Sequence, residues 1–172
     1  MSLLTRLLGK ADPAQEQVRP LWHKVVEVAR EPQWYAHGGI ADTVPGRFDA
    51  ITLVLALVML RMERDPALSA PSGRLTELFV SDMDGQLRQS GIGDLSVGKQ
   101  IGKLMGALGG RIEAFRAGLA DSGDAAQIAA IERNLTFGES SNPAANAAEM
   151  RLLASALSEL TDADLLAGKI AR

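Results

Sequence analysis

The sequence predicts an all-α protein, a bundle of about six to eight helices with no significant sheet. Apolar residues recur at three- and four-residue steps through most of the chain, which is the period of a helix with one buried face. Helix-starting and helix-stopping residues fall at helix-length intervals between those stretches. Aromatic residues make up only 4% of the chain and β-branched runs are few, so little favours strands. At 172 residues the chain is long enough for one domain with its own core. We therefore read 1–172 as a single helical domain, with the C-terminal helices of 124–170 packed on the earlier part.

The elements follow in order. Asp12 as cap and Pro13 at the first helical position open a helix expected to reach Arg30, before Pro32. Trp34 and Tyr35 sit in a brief turn closed by Gly38-Gly39. The apolar run from Ala50 to Leu60 marks a helix over about 47–64, ended by Asp65-Pro66. Ser72 is the expected cap of the next helix, where Leu75, Leu78, Phe79, Met83 and Leu87 share one face until Gly91 and Gly93 break it. The longest helix runs from about Ser96 to Leu119. Its Val97, Ile101, Leu104, Met105, Leu108, Ile112, Phe115 and Leu119 fall within an arc about 100° wide. Beside that arc Gly98, Gly102, Gly106 and Gly110 form a stripe. Each costs about 1 kcal/mol relative to alanine in a helix interior. The stripe therefore implies close packing on another backbone, either an internal helix, as expected here, or a partner's helix. Asp124 starts a helix to about Asn134, Asn142-Pro143 starts one to Leu160, and Thr161 caps a last short piece.

A net charge of −3 lacks the basic footprint of a nucleic-acid binder. The absence of cysteine excludes disulfides, zinc–thiolate sites and thiol catalysis. The apolar run from Ala50 to Leu60 is shorter than the roughly 20 residues of a membrane span. MSLLTRLLGKADPA is too short in apolar length for a signal peptide and lacks the Arg- and Ser-rich length of a transit peptide. These features lead to the expectation of a cytoplasmic protein with at most peripheral membrane contact. Leu3, Leu4, Leu7 and Leu8, with Arg6 and Lys10, form an amphipathic turn suited either to a membrane surface or, as expected here, to the protein's own core.

Candidate chemistry is sparse. Gly93-Asp94-Leu95-Ser96-Val97-Gly98-Lys99 has the spacing of a phosphate-binding loop, but Gln100 stands where that motif needs Ser or Thr, and a helix precedes it where a strand is required. His23 and Glu27 share a helix face without a third metal ligand, and His37 has no carboxylate at readable spacing. Asp82 and Asp84, two residues apart, point roughly 200° from each other on a helix and cannot form one acid–base pair, whereas Asp84 and Arg88 make a surface pair. No serine lies in a G-x-S-x-G elbow and there is no H-E-x-x-H. No catalytic residue, metal or cofactor is expected.

Several short stretches resemble one family. These are Trp34-Tyr35, Ala41-Asp42-Thr43 with Gly46-Arg47-Phe48-Asp49, Leu78-Phe79, Asp82-Met83-Asp84, Leu87-Arg88, and Gly91-Ile92-Gly93-Asp94 with Val97-Gly98-Lys99. In order and spacing they resemble the ubiquinol–cytochrome c chaperones, which assist assembly of the cytochrome bc1 complex. The resemblance covers about residues 15 to 120. It implies a non-enzymatic role: holding newly made cytochrome b, or another bc1 subunit, until haem and partner subunits are added. Mitochondrial members work with a small helper protein at the ribosome exit. The missing targeting extension suggests a bacterial-type member, for which helper and ribosome stay open. Trp34, Tyr35, Arg47, Phe48, Asp82, Asp84, Asp94 and Lys99 are the candidate partner-binding residues. Arg47, Asp82, Asp94 and Lys99 could equally form buried ion pairs that fix the helix turn. Met59, Met62, Met83 and Met105 offer adaptable apolar surface or simply fill the core. The competing reading is a helical carrier of quinone, haem or lipid, which calls for a closed apolar pocket.

Overall fold

The computed structural model describes residues 13–171, apart from 90, 92, 93 and 122 and the side chains of 13, 14, 94 and 95. The amphipathic turn at Leu3–Leu8 and the Asp12 cap lie outside the described residues, as do Ile92 and Gly93. The architecture is all-α: α1 (Pro13–Glu16), α2 (Arg19–Val28), a π-helical turn (Gln33–His37), α3 (Val44–Met62), a 3-10 turn (Pro66–Leu68), α4 (Ser69–Gln89), α5 (Asp94–Ala120), α6 (Asp124–Asn134), α7 (Pro143–Glu159) and α8 (Asp162–Leu166). Among the described residues the only strand-like pairing is an isolated antiparallel bridge between Ile40 and Phe137.

α3 is the central post. Leu53, Val54, Leu55, Ala56, Leu57 and Val58 are at most 2% exposed in succession, so this helix is covered on every side. α2, α4, α5 and α7 supply that cover, and α6 packs between α5 and α7. Even so, no described helix is long and apolar enough to cross a membrane. Trp34, Phe79 and Phe115 are fully buried around the post, and each large apolar side chain so placed contributes roughly 1.5–3 kcal/mol.

The local signals account for most boundaries. Asn142 and Thr161 accept hydrogen bonds from Ala145 N–H and Asp164 N–H, capping α7 and α8. Asp65 does the same for Ala67 N–H, starting the 3-10 turn that leads into α4. Gly91, at φ 82°, closes α4 with its N–H on Arg88 O. Three boundaries differ from expectation. The first helix is broken between Glu16 and Arg19, since Pro20 has no N–H to give and its ring crowds the preceding turn. α3 begins at Val44 rather than 47, because Thr43 is extended, caps Gly46 N–H and is followed by Pro45 within the first turn. α4 begins at Ser69, and Ser72 lies inside it, its carbonyl accepting from the Thr76 hydroxyl.

α5 turns its apolar arc inward as expected. Val97, Leu108 and Phe115 are buried, while Ile101, Leu104, Met105, Ile112 and Leu119 are half-buried around them. Its glycine stripe corrects the expectation of an internal neighbour. A Cβ added to Gly98, Gly102, Gly106 or Gly110 would meet nothing within 4 Å. The stripe lies on the outer side of the helix, so no backbone among the described residues offsets its propensity cost.

Close approach does occur at the π-turn. A Cβ on Gly38 would fall 2.2 Å from Asn146 Oδ1, and one on Gly39, at φ +72°, would fall 1.9 Å from Ser140 O. The 38–41 segment is laced to 136–142 by Ala41 N–H on Thr136 O (2.9 Å), Gly138 N–H on Gly39 O (2.9 Å) and Asn142 N–H on Gly38 O (3.1 Å). Buried Asn146 adds its Nδ2–H to Gly38 O at 2.7 Å. The loop after α6 thereby fixes the segment that leads into α3.

Candidate functional site

The principal concavity is an open groove of about 1060 Å3. One wall is the first two turns of α3, with Val44, Pro45, Phe48 and Ile51; the other is the end of α4, with Met83 and Leu87. Leu104 of α5 also lines it. Val44 is 82% exposed, an unusual position for a large apolar side chain. Tyr35, Arg30, Arg47 and Asp42 gather at one end, and Gln86 and Gln89 line the α4 rim.

Each wall is held from behind. Phe48 packs against Phe79 at a ring separation of 6.2 Å, and the Arg111 guanidinium lies 5.4 Å from the Phe48 ring centre. Arg111 also bonds the carboxylate of Asp49 and the hydroxyl of Thr52. The second oxygen of Asp49 accepts Thr136 N–H at 2.7 Å. Asp49 is 5% exposed and its bonds tie α3, α5 and the loop after α6 together beneath the groove. Tyr35 donates its hydroxyl to Ala29 O at 2.8 Å. Burial raises the tyrosine's pKa, and nearby Asp42 raises it further, while Arg47 and Arg30 pull it down. Arg47 donates to Asp42 at 2.6 Å. That bond holds the Asp42 carboxyl below the ordinary carboxylate range and raises Arg47.

The expected partner-binding residues separate into three sets. Tyr35, Arg47 and Phe48 come together at the groove. Trp34 is fully buried one residue away, its Nε1–H on Val28 O at 2.8 Å, and serves the turn rather than the surface. Asp82 accepts Trp22 Nε1–H at 2.6 Å on the α2 side of α4, and Asp84 pairs with Arg88 at 2.7 Å on the surface. Lys99 is exposed on the first turns of α5, and the side chain of Asp94 lies outside the described residues. The Arg47 pair is a surface pair; the buried ion pair is instead Asp49–Arg111.

Sequence reading missed Asp49 and Arg111 as partners. The signal was present: Asp49 directly precedes the apolar run, and Arg111 stands between Leu108 and Phe115 on the apolar side of α5. Met62 and Met83 are buried and Met59 and Met105 half-buried, so these residues fill the core, Met83 alone also reaching the groove. His23 and His37 are exposed, and Glu27 pairs with Lys24 at 2.7 Å. Gly98 and Lys99 lie within α5, and the helix before them, α4, occupies the place a phosphate loop gives to a strand. Among the described residues no group of three or more His, Asp or Glu could hold a metal ion.

Comparison with known proteins adds the following. The model of one protein family, described as ubiquinol-cytochrome C chaperone, matches residues 36–172. That match takes in the C-terminal helices, beyond the residues that carry the motif-level resemblance. Among solved structures, the chain is similar to the Cbp3 homologue from Brucella abortus. The TM-score is 0.80 at 30% identity, with 98% of this chain and 96% of that chain covered. No match was found among curated proteins.

Proposed function

Because the chain belongs to the ubiquinol–cytochrome c chaperone family, we propose that it is a non-enzymatic assembly factor that binds newly made cytochrome b, or another subunit, during biogenesis of the cytochrome bc1 complex. The observation that carries this reading is the groove's composition. Tyr35, Asp42, Arg47, Phe48, Met83 and Leu87 line it, and all six come from the short stretches by which the sequence resembles the family. A cleft with apolar walls and a charged end suits reversible capture of an apolar protein segment. In this reading the protein acts at the membrane face, no described helix being long and apolar enough to cross it, and holds its client without turnover. A closed apolar pocket, which a quinone or lipid carrier needs, does not describe this open cleft. Deleting the protein from its source organism should lower cytochrome b and assembled bc1, read by haem b absorbance and native gels. Unchanged levels would refute the assignment.

A further inference from the structure

The shape and charge of the groove specify its occupant. Its two walls are helical, and each presents about two turns, Val44 to Ile51 on α3 and Met83 to Gln89 on α4, which is about 10 Å of length. A trough of that length between helices matches two turns of a third helix, whose anchors sit at i, i+3 or i+4, and i+7. The polar groups are not spread evenly. Arg30, Arg47 and Asp42 all act on the Tyr35 hydroxyl, so two guanidinium groups and one carboxylate share one end. Arg47 is engaged by Asp42. Arg30 has no ion pair among the described residues and leaves that end with one uncompensated positive charge. The α4 residues Gln86 and Gln89, which also line the groove, are neutral.

We infer that the groove receives a short apolar helix of the client that carries an acidic residue at one end, the carboxylate facing Arg30 while the apolar anchors lie on Phe48, Met83 and Leu87. The inference rests on the chaperone reading and goes further by naming what is recognised. The charge sets the direction in which the segment lies, and the apolar walls supply the contact area. A neutral segment of the same apolarity binds more weakly, and a basic one is repelled.

The test uses the full chain and three fluorescein-labelled helical peptides of equal apolar pattern, differing only in a terminal Glu, Gln or Lys. Binding is followed by anisotropy at low salt, where charge effects are least screened. The Glu peptide is expected to bind about tenfold more tightly than the Lys peptide, a difference of about 1.4 kcal/mol. Arg30→Glu should reverse that order, Leu87→Asp should weaken all three, and Arg133→Glu on α6 should change nothing. Circular dichroism checks that each variant is folded. Equal binding of the three peptides overturns the charge assignment, and binding that survives Leu87→Asp overturns the site. Two other occupants would also overturn it: self-association in sedimentation that Leu87→Asp abolishes, or capture by phosphatidylglycerol vesicles without any peptide binding. If the peptides fail while deletion still lowers cytochrome b, only this inference falls; if they bind as expected and cytochrome b is unaffected, the chaperone reading falls instead.

Discussion

Replacing Asp49 by alanine should be among the most damaging single changes in this protein. Its carboxylate faces Arg111 and accepts Thr136 N–H at 2.7 Å, and the two side chains of the ion pair are only 7% and 11% exposed. Removing one partner of a buried pair leaves the other charge uncompensated, at about 3–5 kcal/mol. A protein of this size loses about 2–4 °C of Tm per kcal/mol, so a fall of roughly 6–20 °C is expected. That is a large fraction of a typical total stability of about 5–15 kcal/mol. The assay is urea unfolding followed by circular dichroism, with Asp49→Ala, Arg111→Ala and the double variant forming a cycle. The double variant should be less destabilised than the sum of the singles by at least about 1 kcal/mol, as expected for residues in one network. Recovery cannot be complete, since Thr136 N–H loses its acceptor and an unmet buried donor costs about 1–3 kcal/mol, while the Thr52 hydroxyl, which donates to Phe48 O and Asp49 O, loses only the bond it accepts from Arg111. A single-variant loss below about 1 kcal/mol, or strict additivity, would show that the pair does not carry the junction of α3, α5 and the following loop.

Three further outcomes follow from the same structure. Gly102→Ala and Gly106→Ala should each stabilise the chain by about 0.5–1 kcal/mol, raising Tm, because the added Cβ meets nothing within 4 Å; a fall in Tm would mean the face is packed. Gly39→Ala should destabilise by more than about 1 kcal/mol, since the residue has φ +72° and its Cβ would strike Ser140 O, and an unchanged Tm would contradict the tight lacing of 38–41 to 136–142. By carboxyl NMR titration Asp42 should protonate below the usual carboxylate value of about 3.9, and its midpoint should return toward that value in Arg47→Ala. With a lowered folded-state pKa, the contribution of this pair to stability is present above the unfolded value and disappears as pH falls through the folded one.

What could be read from the chain and what could not divides by range. Caps act within one turn, so Asn142, Thr161 and the Asp65-Pro66 stop placed their boundaries correctly. The apolar arc of α5 was legible because eight residues on one face leave little choice of orientation. The break before Pro20 is harder to read, because a proline is tolerated in the first turn of a helix and so does not by itself tell a new start from a continuing helix. The glycine stripe was misdirected for a different reason: spacing tells that four glycines share a side but carries no sign for inward or outward. Asp49 and Arg111 are 62 residues apart, and only the packed bundle brings them together. The groove is likewise a product of tertiary packing, though three of its lining residues, Tyr35, Arg47 and Phe48, had been selected by resemblance.

Arg61 gives the fold a consequence in time. From the last turn of α3 it donates to Leu157 O at 3.2 Å, Leu160 O at 2.7 Å and Asp162 at 2.8 Å, joining the carbonyl end of α7 to the helix made a hundred residues earlier. At synthesis rates of about 5–20 residues per second, the 101 residues separating Arg61 from Asp162 take roughly 5–20 s to appear. Throughout that interval the most apolar helix of the chain has been translated, while the segments that sheathe one of its flanks have not. The protein itself therefore passes through an unsheltered period, whatever client it is proposed to hold, and its yield should respond to anything that lengthens that period, such as slow codons between α3 and α7.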